Sequence, residues 1–510
     1  MSLIKIIITL HQPLSVKYGA IFPALETELK RLAADRRFST TLLYLDDATM
    51  MAPFGKGAIP LPSTEKDCKD WVDAIYKNKN PDYLVLFGSQ DIFPFQRLGN
   101  PLFKVGDDSD QKVPSDLPYA SDSPYSVNIA DFTNPSRVVG RIPDIPGIPD
   151  VNHVKSQVDF ILSHAPKPLV QYKNYIGISA ETWSVSTDLS LTNIFGVNPN
   201  QNNYPPTPNP PPPGVQALTH FINCHGMLLN PGFYGESSGN PKTYPLSLHS
   251  SNVSAIQPGT VVSAECCYGA QLYKPVPLPK SVATNYMEKK AAVFMGSSSI
   301  AYGEELVNDL ADILCQDFLK SILAGASTGR SLLEARQQYI FLKLPHLSPY
   351  DLKTIAQFYI LGDPSVQPVL QVRDAESTTK NRRINMRMKG FVLAFTIAEA
   401  KKIDTPPKTE SLNAAIKALL SANNLADSEE SVFEIEDAFP YSLSPNSKLD
   451  RLKGFGVLPQ TDIRFRIFGF KGTAVEITGD VAQTEVSGFR VLMVKEDGEN
   501  ILESRVYVSK

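Results

Sequence analysis

Cysteine is scarce in this chain: five residues in 510, an odd number spread from Cys68 to Cys315, which excludes a disulfide framework. Long apolar runs are missing too, since none reaches the ~18 residues that a bilayer span requires. Charge of one sign is not in excess. Lys plus Arg total 49 against 53 Asp plus Glu, a net charge of -4, which gives no global handle for nucleic acid. No G-x-G-x-x-G or G-x-x-x-x-G-K-[ST] opens a helix, so a nucleotide-sensing protein lacks its phosphate motif. Ser297, Ser298 and Ser299 lack the G-x-S-x-G setting that a serine nucleophile requires. The apolar start, Leu3 to Leu10, is too short and too β-branched for a signal peptide, and no small-residue cleavage site follows. The expectation is a soluble cytoplasmic protein with no membrane or nucleic-acid partner and no cofactor.

What is present suits a large folded chain. Hydrophobic residues make up 42% and charged residues 20%, enough for a sizeable core, and the length allows two to four domains. Strand-like runs at 3–10, 40–45 and 83–87 alternate with helix-like stretches at 21–34 and 66–76, the pattern of a parallel sheet with crossover helices. Residues 99–135, rich in Asp, Ser and Pro, read as a long surface excursion of the kind that carries function. A strand at 137–142, a helix near 150–164 and a strand at 172–180 follow. Residues 204–214 hold seven prolines that lack a backbone N–H, so they read as an extended polyproline surface loop. Strands at 217–224, 260–265 and 291–295 come next, then helices near 304–323 and 328–342.

Residues 372–383 are polar and without periodicity, and we read them as a linker. Beyond it, β runs at 386–397, 462–470, 488–494 and 502–508 and one helix at 411–422 indicate an α+β module. The organisation is thus an α/β subdomain at 1–165, an α/β domain at 166–371 and an α+β module at 384–510.

Two strand ends carry the chemistry. Phe221-Ile-Asn-Cys-His225-Gly226 and Val261-Val-Ser-Ala-Glu265-Cys266-Cys267-Tyr-Gly269 each place a reactive side chain at the carboxyl end of an apolar strand. Ligands of open parallel sheets bind just beyond those ends, so an imidazole and a thiol there can meet. Such a pair suits nucleophilic catalysis, because the attacking species is the thiolate. Gly226 leaves backbone N–H groups free to approach an oxyanion. Cys224 reads as a core residue, and Cys68 and Cys315 as helix packing residues. No metal site is expected, since the paired neighbours Cys224, His225, Cys266 and Cys267 lack C-x-x-C or H-x-x-x-H spacing. Gly106-Asp-Asp-Ser-Asp110 holds part of a calcium-loop pattern and reads instead as a solvated turn. Ser297, Ser298 and Ser299 follow a strand at the same sheet edge and are candidates for a pocket wall.

Over residues 1–370 the sequence resembles the caspase-like clan of cysteine peptidases, and within it the gingipain-like family. The resemblance rests on ordered landmarks: Pro114-Ser-Asp-Leu-Pro-Tyr119, Val138-Val-Gly-Arg-Ile142, the two strand ends, Val293-Phe-Met-Gly-Ser-Ser298 and Leu361-Gly-Asp-Pro-Ser365. It implies a caspase-like α/β/α sandwich with a preceding α/β subdomain, and hydrolysis of protein substrates through a His–Cys dyad. His225 is then the acid–base. The clan's polar–small–nucleophile pattern at the strand end selects Cys267, whereas the gingipain spacing of two residues before the glycine selects Cys266. The strand argument weighs more, because a one-residue shift in a strand turns the side chain to the opposite face, while a turn absorbs an extra residue. Glu265 shares the face of Cys267 and is the candidate to line the pocket for a basic residue before the cut. The export and processing segments of secreted gingipains are not seen, which points to an intracellular regulatory or defence protease. The rival reading is an inactive caspase-like scaffold that binds a regulatory partner through its C-terminal module. With a basic preference, the chain would cut itself in the linker after Lys380, Arg382 or Arg383.

Overall fold

The computed structural model describes residues 2–105, 108–196, 202–203, 215–237, 242–343, 347–371, 400–423, 425, 428–435, 464–471, 475–477, 484–486, 489–497 and 500–509. The polyproline segment 204–214, the linker 372–383 and the expected strand 386–397 lie outside the described residues.

Ten strands build one sheet: β1 (Ile4–Thr9), β2 (Ser39–Tyr44), β3 (Tyr83–Phe87), β4 (Val139–Ile142), β5 (Tyr175–Ser179), β6 (Asn202–Asn203), β7 (Thr219–Asn223), β8 (Val261–Ala264), β9 (Val293–Ser297) and β10 (Phe358–Leu361). Their spatial order is β2-β1-β3-β4-β10-β9-β8-β7-β5-β6. Each neighbouring pair is parallel except β9 and β10, where Phe294 faces Leu361 across an antiparallel seam. Two parallel blocks are therefore fused edge to edge. The expected boundary at residue 165 falls between them, but β10 returns late in the chain to pair Leu361 with Arg141 of the first block.

Period-two alternation sends successive side chains to opposite faces. Ile7, Val85, Phe221, Val261 and Met295 enter one core layer. Ile222, Val262, Ala264 and Phe294 enter a layer on the opposite face, and Ile6, Ile8, Leu84 and Leu86 continue it in the first block. Helices α1 (His11–Tyr18), α2 (Phe22–Ala33), α3 (Glu65–Lys79), α4 (Val151–Ser163), α5 (Ser184–Phe195), α6 (Val282–Glu288), α7 (Ala311–Leu323), α8 (Thr328–Lys343) and α9 (Pro349–Gln357) flank the sheet. Leu25, Leu29, Phe318 and Tyr339 close the first layer, while Val72, Ile75, Tyr286 and Met287 close the opposite face. The expected α/β/α sandwich is what the chain forms. No helix among the described residues is long and apolar enough to cross a membrane.

Three expectations need correction. Residues 99–135 are not a surface excursion: Leu102, Val113, Ser115, Leu117, Tyr119, Ile129 and Phe132 are buried. Their polar groups are satisfied inside, as where Arg141 donates from Nε and Nη2 to both carboxylate oxygens of Asp116, at 2.9 and 2.6 Å. Within the turn expected to be solvated, Asp108 is instead fully buried against Lys353. The helix expected from Glu304 starts only at Ala311. Its first residues instead follow a two-residue strand, Tyr302–Gly303, and Leu310 takes a left-handed φ of 45°.

The C-terminal module comprises β11 (Ala400–Ile403), α10 (Glu410–Ala422), β12 (Glu429–Ile435), β13 (Arg464–Lys471), β14 (Phe489–Glu496) and β15 (Ile501–Ser509). These strands form an antiparallel sheet in that order. Leu412, Ile416 and Leu420, spaced at helical period, pack α10 against Phe468, Leu492 and Val494. The α+β expectation holds. The last strand also pairs across the module boundary, with Ser509 opposite Tyr302 and Val508 opposite Gly303.

Candidate active site

β5, β7, β8 and β9 run parallel, so their carboxyl ends share one edge. The chain leaves that edge at Ala180–Trp183, at His225–Gly226, at Glu265–Cys267 and at Ser297–Ala301. Alternation sets the face each side chain takes. Phe221 and Val261 belong to the first core layer and Cys267 joins it, whereas Ile222, Cys224, Ala264 and Cys266 belong to the opposite layer. Cys266 is fully buried, with its thiol 4.0 Å from the Ile222 carbonyl. Cys224 lies in the same layer, its thiol 3.8 Å from the Ile178 carbonyl. The two adjacent cysteines therefore point to opposite sides of the sheet.

Cys267 is 5% exposed. Its Sγ accepts the Ala301 N–H at 3.3 Å, and its thiol donates to the Ala301 carbonyl at 3.5 Å. Burial pushes the Cys267 thiol up to about 12, against the smaller lowering by the Ala301 contact and Lys353. Burial raises the Cys266 thiol well above its ordinary value too. Cys267 thus rests as a neutral thiol.

The side chain of His225 is held from three sides. Nε2 lies 2.7 Å from Oε2 of Glu236, and the ring centroid lies 4.6 Å from that of Trp183 and 5.3 Å from that of Tyr244. Glu236 comes from the hairpin in which His225–Gly226 pairs with Gly232–Tyr234, and its carboxylate also meets Lys242. Burial works to raise the Glu236 carboxyl, but the bonds from His225 and Lys242 outweigh it and leave it below its ordinary range. Trp183 packs in turn against Val508 of β15.

Gly226 sits where the two strand ends touch. A Cβ there would lie 1.9 Å from the Cys267 carbonyl oxygen, which no side chain tolerates. Glu265 is fully buried, and its N–H donates to the Ile222 carbonyl at 2.8 Å. Ser297 donates to the Cys266 carbonyl at 2.7 Å and Ser299 to Gln357 at 2.7 Å, so these two hydroxyls brace the edge. Cys68 and Cys315 are buried on α3 and α7.

Sequence reasoning missed Glu236 and Trp183. Glu236 stands 11 residues beyond His225 in a Gly- and Ser-rich stretch with no motif, and only the hairpin returns it to the ring. Trp183 follows β5 in a short turn, one of only two tryptophans in the chain.

The family model for peptidase family C25 matches residues 5–369. No curated protein matches the chain. Among solved structures, the complex of the pro- and mature domains of RgpB from Porphyromonas gingivalis is 10% identical, with a TM-score of 0.48 over 98% of this chain and 99% of that one. The Arg-specific cysteine proteinase gingipain R is also 10% identical, with a TM-score of 0.47 over 99% of this chain and 97% of that one. The chain belongs to peptidase family C25, the gingipain family, and is a cysteine-type peptidase.

Proposed function

We propose that the protein is an endopeptidase that cuts after basic residues, with Cys267 as nucleophile, His225 as acid–base and Glu236 as the group that orients the imidazole. The observation that carries this reading is the split of the adjacent cysteines: Cys267 lies in the layer that Phe221 and Val261 also enter, while Cys266 is locked in the opposite one. Continued alternation from Phe221 gives His225 the face of Cys267. With Nε2 engaged by Glu236, Nδ1 is the nitrogen that exchanges the proton. It takes the thiol proton as Sγ attacks the substrate carbonyl carbon, then gives it to the leaving amine, and water hydrolyses the acyl-enzyme. A thiol with a pKa of about 12 needs that base at neutral pH. The N–H groups of Gly226 and Cys267 are the oxyanion donors in this reading.

Glu265, two residues before Cys267, supplies the basic preference: an arginine or lysine entering beside it would meet a carboxylate held off water. Five cysteines, an odd number scattered along the chain, suit a reducing, intracellular setting for a regulatory or defence role. The C-terminal module, paired to Tyr302–Gly303, is the natural place for a regulatory partner to act on the site. Profiling cleavage of a peptide library by the wild type, Cys267→Ala, Cys266→Ala and Glu265→Gln tests the reading. Cys267→Ala should lose at least about a hundredfold in turnover and Cys266→Ala far less. Glu265→Gln should weaken the choice of Arg or Lys, and a profile dominated by Asp or large apolar residues would overturn it.

A further inference from the structure

We propose that Asp110 is a positioning residue for the nucleophile; the inference rests on the reading of Cys267 above. Tyr268, directly after Cys267, holds a φ of 51°, a left-handed conformation that a bulky residue keeps only when its surroundings impose it. Two bonds do so. Its N–H donates to the Ser299 carbonyl at 3.0 Å, and its hydroxyl donates to Oδ1 of Asp110 at 2.6 Å. The second oxygen of the same carboxylate, Oδ2, accepts the N–H of Ile300 at 2.7 Å. Ile300 precedes Ala301, whose N–H and carbonyl both contact Cys267 Sγ. One carboxylate thus fastens the residue after the nucleophile to the residue before its sulfur's partner.

The clamp is itself anchored. The Asp110 carbonyl accepts from Asn100 Nδ2 at 2.7 Å, and its N–H donates to Oδ1 of Asp108 at 3.1 Å. Lys353, fully buried, pairs with Asp108 and lies 3.5 Å from Asp110. Asp108 also accepts the hydroxyl of Tyr302 at 2.9 Å, so the residue after Ala301 is tied to the same turn. A segment far from the strand ends in sequence therefore fixes residues on both sides of Sγ. A misplacement of about 1 Å in a reacting group costs on the order of a hundredfold in rate, so a positioning role of this kind is legible in turnover.

The test uses the full chain with Tyr268→Phe, Asp110→Asn and their double variant, each measured for kcat, KM and Tm, beside Cys267→Ala. Tyr268→Phe removes one bond and no charge, which keeps the proposal testable should Asp110→Asn fail to fold. The expected result is a kcat lowered about tenfold or more in each single variant, with KM within about twofold. The double variant should be no worse than Asp110→Asn, because each variant opens the same clamp between Tyr268 and Ile300. With Cys267→Ala inactive, an unchanged kcat in Tyr268→Phe, losses that multiply in the double variant, or losses that only follow Tm would overturn the clamp. Activity that survives Cys267→Ala would overturn the nucleophile assignment beneath it.

Discussion

Nε2 of His225 lies 2.7 Å from Oε2 of Glu236, and each side chain is only 3% exposed. A carboxylate at that distance fixes the tautomer and the orientation of the ring, and in the proposed mechanism it would stabilise the imidazolium formed when the thiol gives up its proton. Trp183, tilted against the ring with centroids 4.6 Å apart, prevents it from swinging away. The histidine is thereby placed before any substrate arrives.

Glu236→Gln should lower kcat by about a hundredfold while KM changes little, since an amide neither fixes the tautomer nor balances the charge. Steady-state kinetics on a basic peptide substrate checks this. A kcat within about threefold of wild type would remove Glu236 from the mechanism.

The same carboxyl sets an acid limit. Its folded value lies below the ordinary 4.5, so its contribution to stability is present above that pH and is lost as pH falls through the folded value. Thermal melts of wild type and Glu236→Gln from pH 7 to pH 3 should show the wild type losing stability more steeply below about pH 4.5. Parallel curves would show that Glu236 does not couple folding to protonation.

Gly226→Ala should abolish activity and destabilise the edge, because the added Cβ would meet the Cys267 carbonyl at 1.9 Å. The neighbour is backbone, so no rotamer change relieves the clash. Turnover within about tenfold of wild type would show that the strand ends stand further apart.

Much of this was legible in the sequence because it depends on local rules. Apolar runs ending in His225 and in Glu265-Cys266-Cys267 fixed both strands and the edge where they finish. Alternation placed Cys266 and Cys267 on opposite faces, while the spacing to Gly269 left open which of them is the nucleophile. The parts that were not legible depend on contacts distant in sequence. Asp108 looks like a solvated residue until Lys353 is brought onto it, 245 residues later. Polar composition made 99–135 read as surface, although its carboxylates and hydroxyls are used internally, as with Ser115 donating to the Ala356 carbonyl at 2.5 Å. Tyr302–Gly303 lacks any strand pattern, and it pairs only because β15 arrives beside it.

Two landmarks of the family resemblance meet as a buried ion pair, Arg141 with Asp116, which joins β4 to the segment before it. Asp116→Ala strands the guanidinium and should cost about 3–5 kcal/mol of stability, measured by denaturant unfolding. Arg141 also donates to the carbonyls of Gly88 and Phe93, so this loss should exceed that of a surface pair such as Lys66 with Asp70. Equal effects at the two sites would contradict the internal role given to residues 99–135.

The central claim is that Cys267, assisted by His225, attacks the bond after a basic residue. The most direct measurement is to treat the purified chain with a peptidyl chloromethyl ketone ending in arginine and to locate the adduct by peptide mass spectrometry. The expected result is a single adduct on Cys267, formed as activity disappears and slowed strongly by His225→Ala, with Cys266 unmodified. An adduct on Cys266, or inactivation that leaves Cys267 unmodified, would contradict it.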